Sequence, residues 1–168
     1  MDKIKVLLVD DHPVVREGIR TMLTTAQDIE VVAEASDGLE AIDKVNECQP
    51  DVVLMDLRMP NLDGLEATKR IKSQHSSIAI IMLTIYDNEA FVIDAVRAGA
   101  VGYLLKDTSR ELLVHAIRGV TNGGMLFKSS LLREAMLSLA AAAADQNKNK
   151  PADNVNLDKL CNPEFNTL

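Results

Sequence analysis

The sequence predicts an open, doubly wound parallel α/β sheet, and three observations lead there. Strand-like and helix-like segments alternate five times between residue 3 and about residue 122. Two of the strand-like runs, VLLVDD from Val6 to Asp11 and VVLMD from Val52 to Asp56, are short and rich in Val and Leu, and both end abruptly in aspartate. Runs of this kind suit strands buried on both faces. Five βα units joined by right-handed crossovers leave few arrangements other than a parallel sheet with helices on both sides. A (βα)8 barrel is the main rival, and it needs about eight units.

The elements follow in order. Residues 3–9 form the first strand, and 13–24 a helix with Val15, Ile19, Met22 and Leu23 at helical spacing. Residues 30–35 read as the second strand and 38–48 as the second helix, with Leu39, Ile42 and Val45 inward. Pro50 closes that region, and 51–55 is the third strand. Then come a helix over 65–74, a strand over 79–83 and a helix over 88–98, with Gly99 just past its end as a stop. A short fifth strand spans 102–105 and a fifth helix 109–122, before Gly123 and Gly124.

Beyond the glycines the pattern changes. Ser129 could cap another helix running to about Ala144, with Leu132, Met136, Leu139 and Ala143 on one stripe. That stripe is expected to pack on its own domain or on a second copy. Its alanine-rich end has high helix propensity and little to pack. From Asp145 the polar DQNKNKPADNVN stretch reads as linker. The expected organisation is one domain over 1–124, a C-terminal extension helix over 125–145 and a disordered or truncated tail over 146–168.

Composition narrows the function classes. The 168 residues suit about one domain, and 47% hydrophobic content supplies a sizeable core. Only 3% are aromatic and none is Trp, so that core is aliphatic. A net charge of −7 opposes binding nucleic acid through a broad basic face. No apolar run approaches the roughly 18 residues of a membrane span, and MDKIKVLLVDD lacks a secretory layout. Cys48 and Cys161 are too few for a disulfide framework and read as free thiols in a reducing cytoplasm. His12, His75 and His115 share no metal-ligand spacing.

The strand ends carry the chemistry. In an open α/β sheet, residues just past the carboxyl ends of the strands face the crevice where ligands bind. Asp10, Asp11 and Asp56 would meet there, and three converging carboxylates repel one another. A divalent metal or phosphoryl chemistry explains such an arrangement. Each residue taken singly has a plainer reading: Asp11 could cap the first helix, Asp56 could be a turn residue, Lys106 a solvated side chain and Thr84 a strand-end hydroxyl. Their recurrence at successive strand ends of one α/β pattern favours the shared site.

Taken together, the acidic pair Asp10 and Asp11, strand-end Asp56, Thr84, Lys106 and the segment MPNLDG (59–64) resemble the receiver domain of bacterial two-component response regulators. The resemblance covers about residues 3 to 122. The segment AVRAGAVGYLLKD (95–107) is most similar to the LuxR/NarL-type subfamily, whose members carry a C-terminal helix-turn-helix domain. The resemblance implies a flavodoxin-like strand order 2-1-3-4-5. It implies that Asp56 is the phosphoacceptor, with Lys106 and Thr84 compensating charge on the phosphoryl oxygens. Mg2+ would be bound by Asp11 and Asp56 directly, by Asp10 through water and by the backbone carbonyl of Arg58. Thr84 and Tyr103 would form the switch that alters the surface of the fourth helix, fifth strand and fifth helix.

The implied partners are a sensor histidine kinase and, on phosphorylation, a second copy of the chain. DNA would be reached only through a helix-turn-helix domain, which is not evident here: the chain stops at Leu168 without a second amphipathic helix pair or basic recognition segment. A truncated form, a lost effector or an expression scar would each look the same. The sequence also departs from the family pattern. Asp107 follows Lys106 where many members have Pro, and Ile85 stands where the family often has a small residue. Tyr86 and Arg58 are large enough to reach over the site. The alternatives are a phosphorylation-independent interaction domain and an aspartate-nucleophile phosphatase. The latter usually has a second Asp two positions after the nucleophile, where this chain has Arg58.

Overall fold

A computed structural model describes residues 2–127 and 129–149. The chain up to Ala135 forms one compact unit, and Met136 opens a second. The five parallel strands stand in the order β2-β1-β3-β4-β5. They are β1 (Ile4–Val9), β2 (Ile29–Ala35), β3 (Val52–Met55), β4 (Ala79–Thr84) and β5 (Gly102–Leu105). The helices are α1 (Pro13–Thr24), α2 (Gly38–Cys48), α3 (Gly64–Gln74), α4 (Glu89–Ala98), α5 (Arg110–Thr121) and α6 (Ser129–Asn149). This is the doubly wound arrangement expected from the sequence.

Strand periodicity divides the core in two. Successive side chains point to opposite faces, so Val6, Leu8, Val52, Leu54, Ile81 and Leu83 pack on one side with Leu23 of α1 and with Leu113 and Ile117 of α5. Leu7, Val9, Val53, Met55, Ile80 and Met82 face the other side, against Ala41 and Val45 of α2, Ile71 of α3 and Ala95 of α4. Both faces are covered, which is why these strands read as continuous apolar runs rather than alternating ones.

Several boundaries differ from the expectation, each for a local reason. The α1 helix begins at Pro13 with His12 as its N-cap residue, and no side chain caps it. Asp11 therefore does not cap this helix. Asn88 and Ser109 stand just outside α4 and α5, where their side chains accept the Ala90 N–H at 2.8 Å and the Leu112 N–H at 3.2 Å. Leu39 is 48% exposed instead of inward. Gly38, Ala41 and Val45 form the buried stripe of α2, and Leu39 lies off it. The α6 helix continues past Ala144 to Asn149, because the alanine run propagates readily and the first strong breaker is Pro151. The rest of the expected linker and tail, with Cys161, lies outside the described residues, as do the side chains of Ser129 and Leu132. Met136, on the expected α6 stripe, is 53% exposed.

One feature past α5 was not expected. After Gly123, whose φ of +83° lies in the left-handed region, the chain doubles back along β5. Leu126 bridges to Gly102 in parallel: its N–H donates to the Val101 carbonyl at 2.8 Å, and its carbonyl accepts the Tyr103 N–H at 3.0 Å. The outer edge of β5 is thus partly sealed by the chain's own continuation.

Candidate functional site

Sheet register brings the predicted residues together. Val9 of β1 pairs with Met55 of β3, so the next residues, Asp10 and Asp56, leave the sheet side by side. The Asp56 N–H donates to the Val9 carbonyl at 2.9 Å and the Asp10 N–H to the Ala35 carbonyl at 3.1 Å, which holds both turns in place. Farther along the sheet, Thr84 pairs with Leu105, and the Lys106 N–H donates to the Thr84 carbonyl at 2.8 Å. Asp10, Asp56 and Thr84 are the buried polar residues at this edge.

One ammonium serves two of the carboxylates. Lys106 Nζ lies 2.7 Å from Asp10 Oδ2 and 3.1 Å from Asp56 Oδ2. Asp56 Oδ1 accepts the Leu57 N–H at 2.9 Å. Burial pushes the Asp56 carboxyl up to about 6, and the Asp10 charge adds to that; Lys106 and the Leu57 N–H oppose it without cancelling it. Burial by itself would pull the Lys106 ammonium down, but the Asp10 hydrogen bond and the Asp56 charge outweigh it, and its pKa is raised. The lysine stays charged, whereas Asp56 is under-compensated.

Asp11 and His12 complete the cluster. One ligand atom from each of Asp10, Asp11, His12 and Asp56 lies within 4.8 Å of the others. His12 Nδ1 is 3.1 Å from Asp10 Oδ1, to which it is hydrogen-bonded, and the backbone N–H of His12 donates to the same oxygen at 2.9 Å. Asp11 Oδ1 stands 3.0 Å from the same ring nitrogen, yet it is shielded from solvent without an aligned donor. A shielded carboxylate oxygen with no hydrogen bond, beside two more carboxylates, fits a hard divalent cation that prefers oxygen ligands.

This strand-end geometry accompanies a family match: residues 6–118 match the response regulator receiver domain. The chain belongs to that family. Among curated relatives, this receiver is 46% identical over 128 residues to an uncharacterized transcriptional regulatory protein, YxjL of Bacillus subtilis, covering 76% of this chain and 59% of the relative. It is 45% identical over 129 residues to the response regulator protein VraR of Staphylococcus aureus, covering 77% and 62%. The receiver thus spans about 60% of the length of these curated relatives. A LuxR-family two-component response regulator from Aurantimonas superposes with a TM-score of 0.74 at 35% identity, over 83% of this chain and 99% of that one. The receiver domain of a NarL response regulator from Mycobacterium tuberculosis gives 0.71 at 35% identity, over 73% and 99%. No helix among the described residues is long and apolar enough to cross a membrane.

The remaining receiver residues meet at Tyr86. The buried Thr84 hydroxyl oxygen accepts the Tyr86 N–H at 3.2 Å, and the Tyr103 hydroxyl donates to the Tyr86 carbonyl. Burial, with help from the Asp87 charge, pushes the Tyr103 phenol up to about 12, so it stays a donor. The Arg58 guanidinium lies 5.3 Å from the Tyr86 ring centre and 5.4 Å from that of Phe91, within cation–π range of both. Ile85 is 69% exposed, so its bulk is directed to solvent.

Sequence reasoning missed His12 and the Tyr86 junction. It set His12 aside because no second histidine stood at metal spacing, although its place directly after two aspartates was the available signal. It noted Gly64 only as the end of MPNLDG. A Cβ at Gly64 would stand 1.9 Å from the Asp56 carbonyl oxygen, so that position admits no side chain while α3 starts where it does. The Gly64 N–H donates to the Leu57 carbonyl at 2.9 Å, tying the acceptor turn to the helix.

Proposed function

We propose that this receiver accepts a phosphoryl group on Asp56 from a phosphohistidine of a sensor histidine kinase, in the cytoplasm. The under-compensated, buried Asp56 beside Lys106 carries this reading. The Asp56 carboxylate oxygen attacks phosphorus, an O–P bond forms, the P–N bond breaks, and the imidazole leaves with its electron pair. Lys106, already 3.1 Å from Asp56, neutralises a phosphoryl oxygen, and the buried Thr84 hydroxyl, which now accepts the Tyr86 N–H, would donate to another on leaving Tyr86. Asp11 and Asp56 would hold Mg2+ directly, with Asp10 acting through water and the Arg58 carbonyl as a further ligand. When bound, the ion offsets the negative charge that gathers as phosphoryl meets carboxylate.

The switch reading rests on the shared junction. Thr84 and Tyr103 both hold the main chain of Tyr86, one at its N–H and the other at its carbonyl. A Thr84 hydroxyl drawn toward phosphoryl would release one of those bonds and bias the position of Tyr103. Tyr103 borders a cavity of about 370 Å3 with Val92, Leu105 and Leu112, which leaves it room to turn. The α4, β5 and α5 face around it is the proposed surface for a phosphorylation-dependent homodimer, and DNA regulation would need a helix-turn-helix domain such as the subfamily carries. The phosphatase alternative lacks a general acid: Arg58, which occupies that position, lies over Tyr86 and Phe91.

The test is intact mass after incubation with Mg2+ and a small acyl phosphate, beside Asp56→Ala. A single phosphoryl adduct that requires both Mg2+ and Asp56 is expected. No adduct on folded, Mg2+-bound protein would favour a phosphorylation-independent interaction module.

A further inference from the structure

The N-cap position of α1 favours Ser, Thr, Asp or Asn, whose short side chains bond the first free N–H groups. Here it holds His12, which makes no side-chain cap bond. The ring turns to the acidic cluster instead. Its Nδ1 lies 3.1 Å from Asp10 Oδ1 and 3.0 Å from Asp11 Oδ1. Donor atoms at adjacent corners of an octahedral ion, each about 2.1 Å from the metal, stand about 3 Å apart. The nitrogen therefore keeps, from the proposed direct ligand Asp11, the spacing of a neighbouring ligand in one coordination sphere, while Asp10, which acts through water, is its hydrogen-bond partner. The His12 side chain is 65% exposed, so ring and ion are reachable from solvent.

We infer that His12 Nδ1 is a ligand of the ion held by this cluster and biases the site toward cations that accept nitrogen. This rests on the reading of the acidic cluster as a divalent-cation site. On binding, the ion takes the place of the proton that Nδ1 shares with Asp10, and the neutral imidazole keeps its proton on Nε2. Oxygen-only sites suit Mg2+; an imidazole nitrogen adds affinity for Mn2+, Ni2+ and Zn2+, with Ni2+ favoured over Mn2+ by intrinsic ligand preference. The chain would then select its ion by the cation available and would exchange Mg2+ for a more nitrogen-accepting metal.

The experiment uses the full chain at a pH above the ordinary imidazole range, with three proteins: wild type, His12→Ala and Asp56→Asn. Pulsed electron paramagnetic resonance of bound Mn2+ reads ligation directly, because an imidazole nitrogen imprints a nitrogen modulation on the signal. Wild type is expected to show that modulation and His12→Ala to lose it. In calorimetric titration, His12→Ala is expected to weaken Ni2+ binding about tenfold and Mg2+ binding less than about twofold. Mn2+ bound in an Asp56-dependent manner without nitrogen modulation overturns the inference and leaves the cation site standing. Modulation that persists in His12→Ala overturns it equally. No Mn2+ binding, or binding indifferent to Asp56→Asn, overturns the cation site itself and the inference with it.

Discussion

The two ends of this sheet carry the same residue type under opposite conditions. At the amino ends of the strands, Asp28 and Asp51 each have a dedicated partner. Asp28 receives both arms of Arg118 at 2.8 Å, which hold its carboxyl below the usual range. Asp51 Oδ2 accepts the Lys5 N–H at 2.9 Å. At the carboxyl ends, Asp10 and Asp56 share Lys106, and Asp11 Oδ1 accepts no hydrogen bond. Asp56 is raised where Asp28 is lowered. The carboxylates at the amino ends each have a donor of their own, whereas those at the carboxyl ends are left short of positive charge, as groups under functional rather than structural demand commonly are.

Removing Lys106 should widen that contrast most. Lys106→Met leaves two buried carboxylates without a cation, so phosphoryl-adduct formation should fall about a hundredfold or more. Time-resolved intact mass would read it, and an unchanged rate would separate Lys106 from the acceptor chemistry. Gly64→Ala attacks the same end through the backbone. Its Cβ would meet the Asp56 carbonyl oxygen at 1.9 Å, and the shift this forces should cost about 3 kcal/mol in denaturant unfolding.

Stability should also depend on pH through Asp56. An ordinary Asp ionises near 3.8, whereas folded Asp56 does so near 6. The folded state therefore holds an extra proton between those values, and the associated stability is full below about 3.8 and lost as pH rises through about 6. Asp56→Asn, neutral at every pH, should be more stable than wild type by about 1–3 kcal/mol at neutral pH in metal-free buffer. The difference should close toward pH 4, and a gap independent of pH would point to packing instead. The same proton competes with the cation, so Mg2+ affinity should fall about tenfold per pH unit below about 6.

The smallest effect belongs to the opposite end. Asp28→Asn breaks an exposed pair with Arg118, so thermal stability should drop slightly and the drop should fade in high salt. A large, salt-independent loss would show that the amino-terminal edge depends on that pair more than exposure allows.

The readable part of the molecule was the part encoded by neighbours along the chain. Apolar runs ending in Asp revealed β1 and β3, and the order of βα units implied the sheet that brings Asp10, Asp56 and Lys106 to one edge. Side-chain direction was less legible. Leu39 fits an apolar helical pattern yet lies off the buried stripe of α2, which small Gly38 and Ala41 occupy. The stack of Arg58 on Tyr86 and Phe91 joins the loop after β3 to the loop after β4 and the first turn of α4, a proximity that follows from β3–β4 pairing, not from spacing in sequence. His12 was visible only as a residue type, and its orientation depends on the turn that Asp10 makes on leaving β1.

The return of Leu126 along β5 has a consequence for assembly. An uncovered edge strand offers its backbone as a template, and any extended segment can zip onto it with little regard to side chains. Here the Val101 carbonyl and the Tyr103 N–H are already taken. A neighbour cannot extend the sheet at that point without first evicting Leu126. Partners approaching this border must instead read protruding groups such as the 43%-exposed Leu112. Backbone zippering is indifferent to chemical state, whereas side-chain recognition can be tuned by it, so a closed border leaves any association there to side chains.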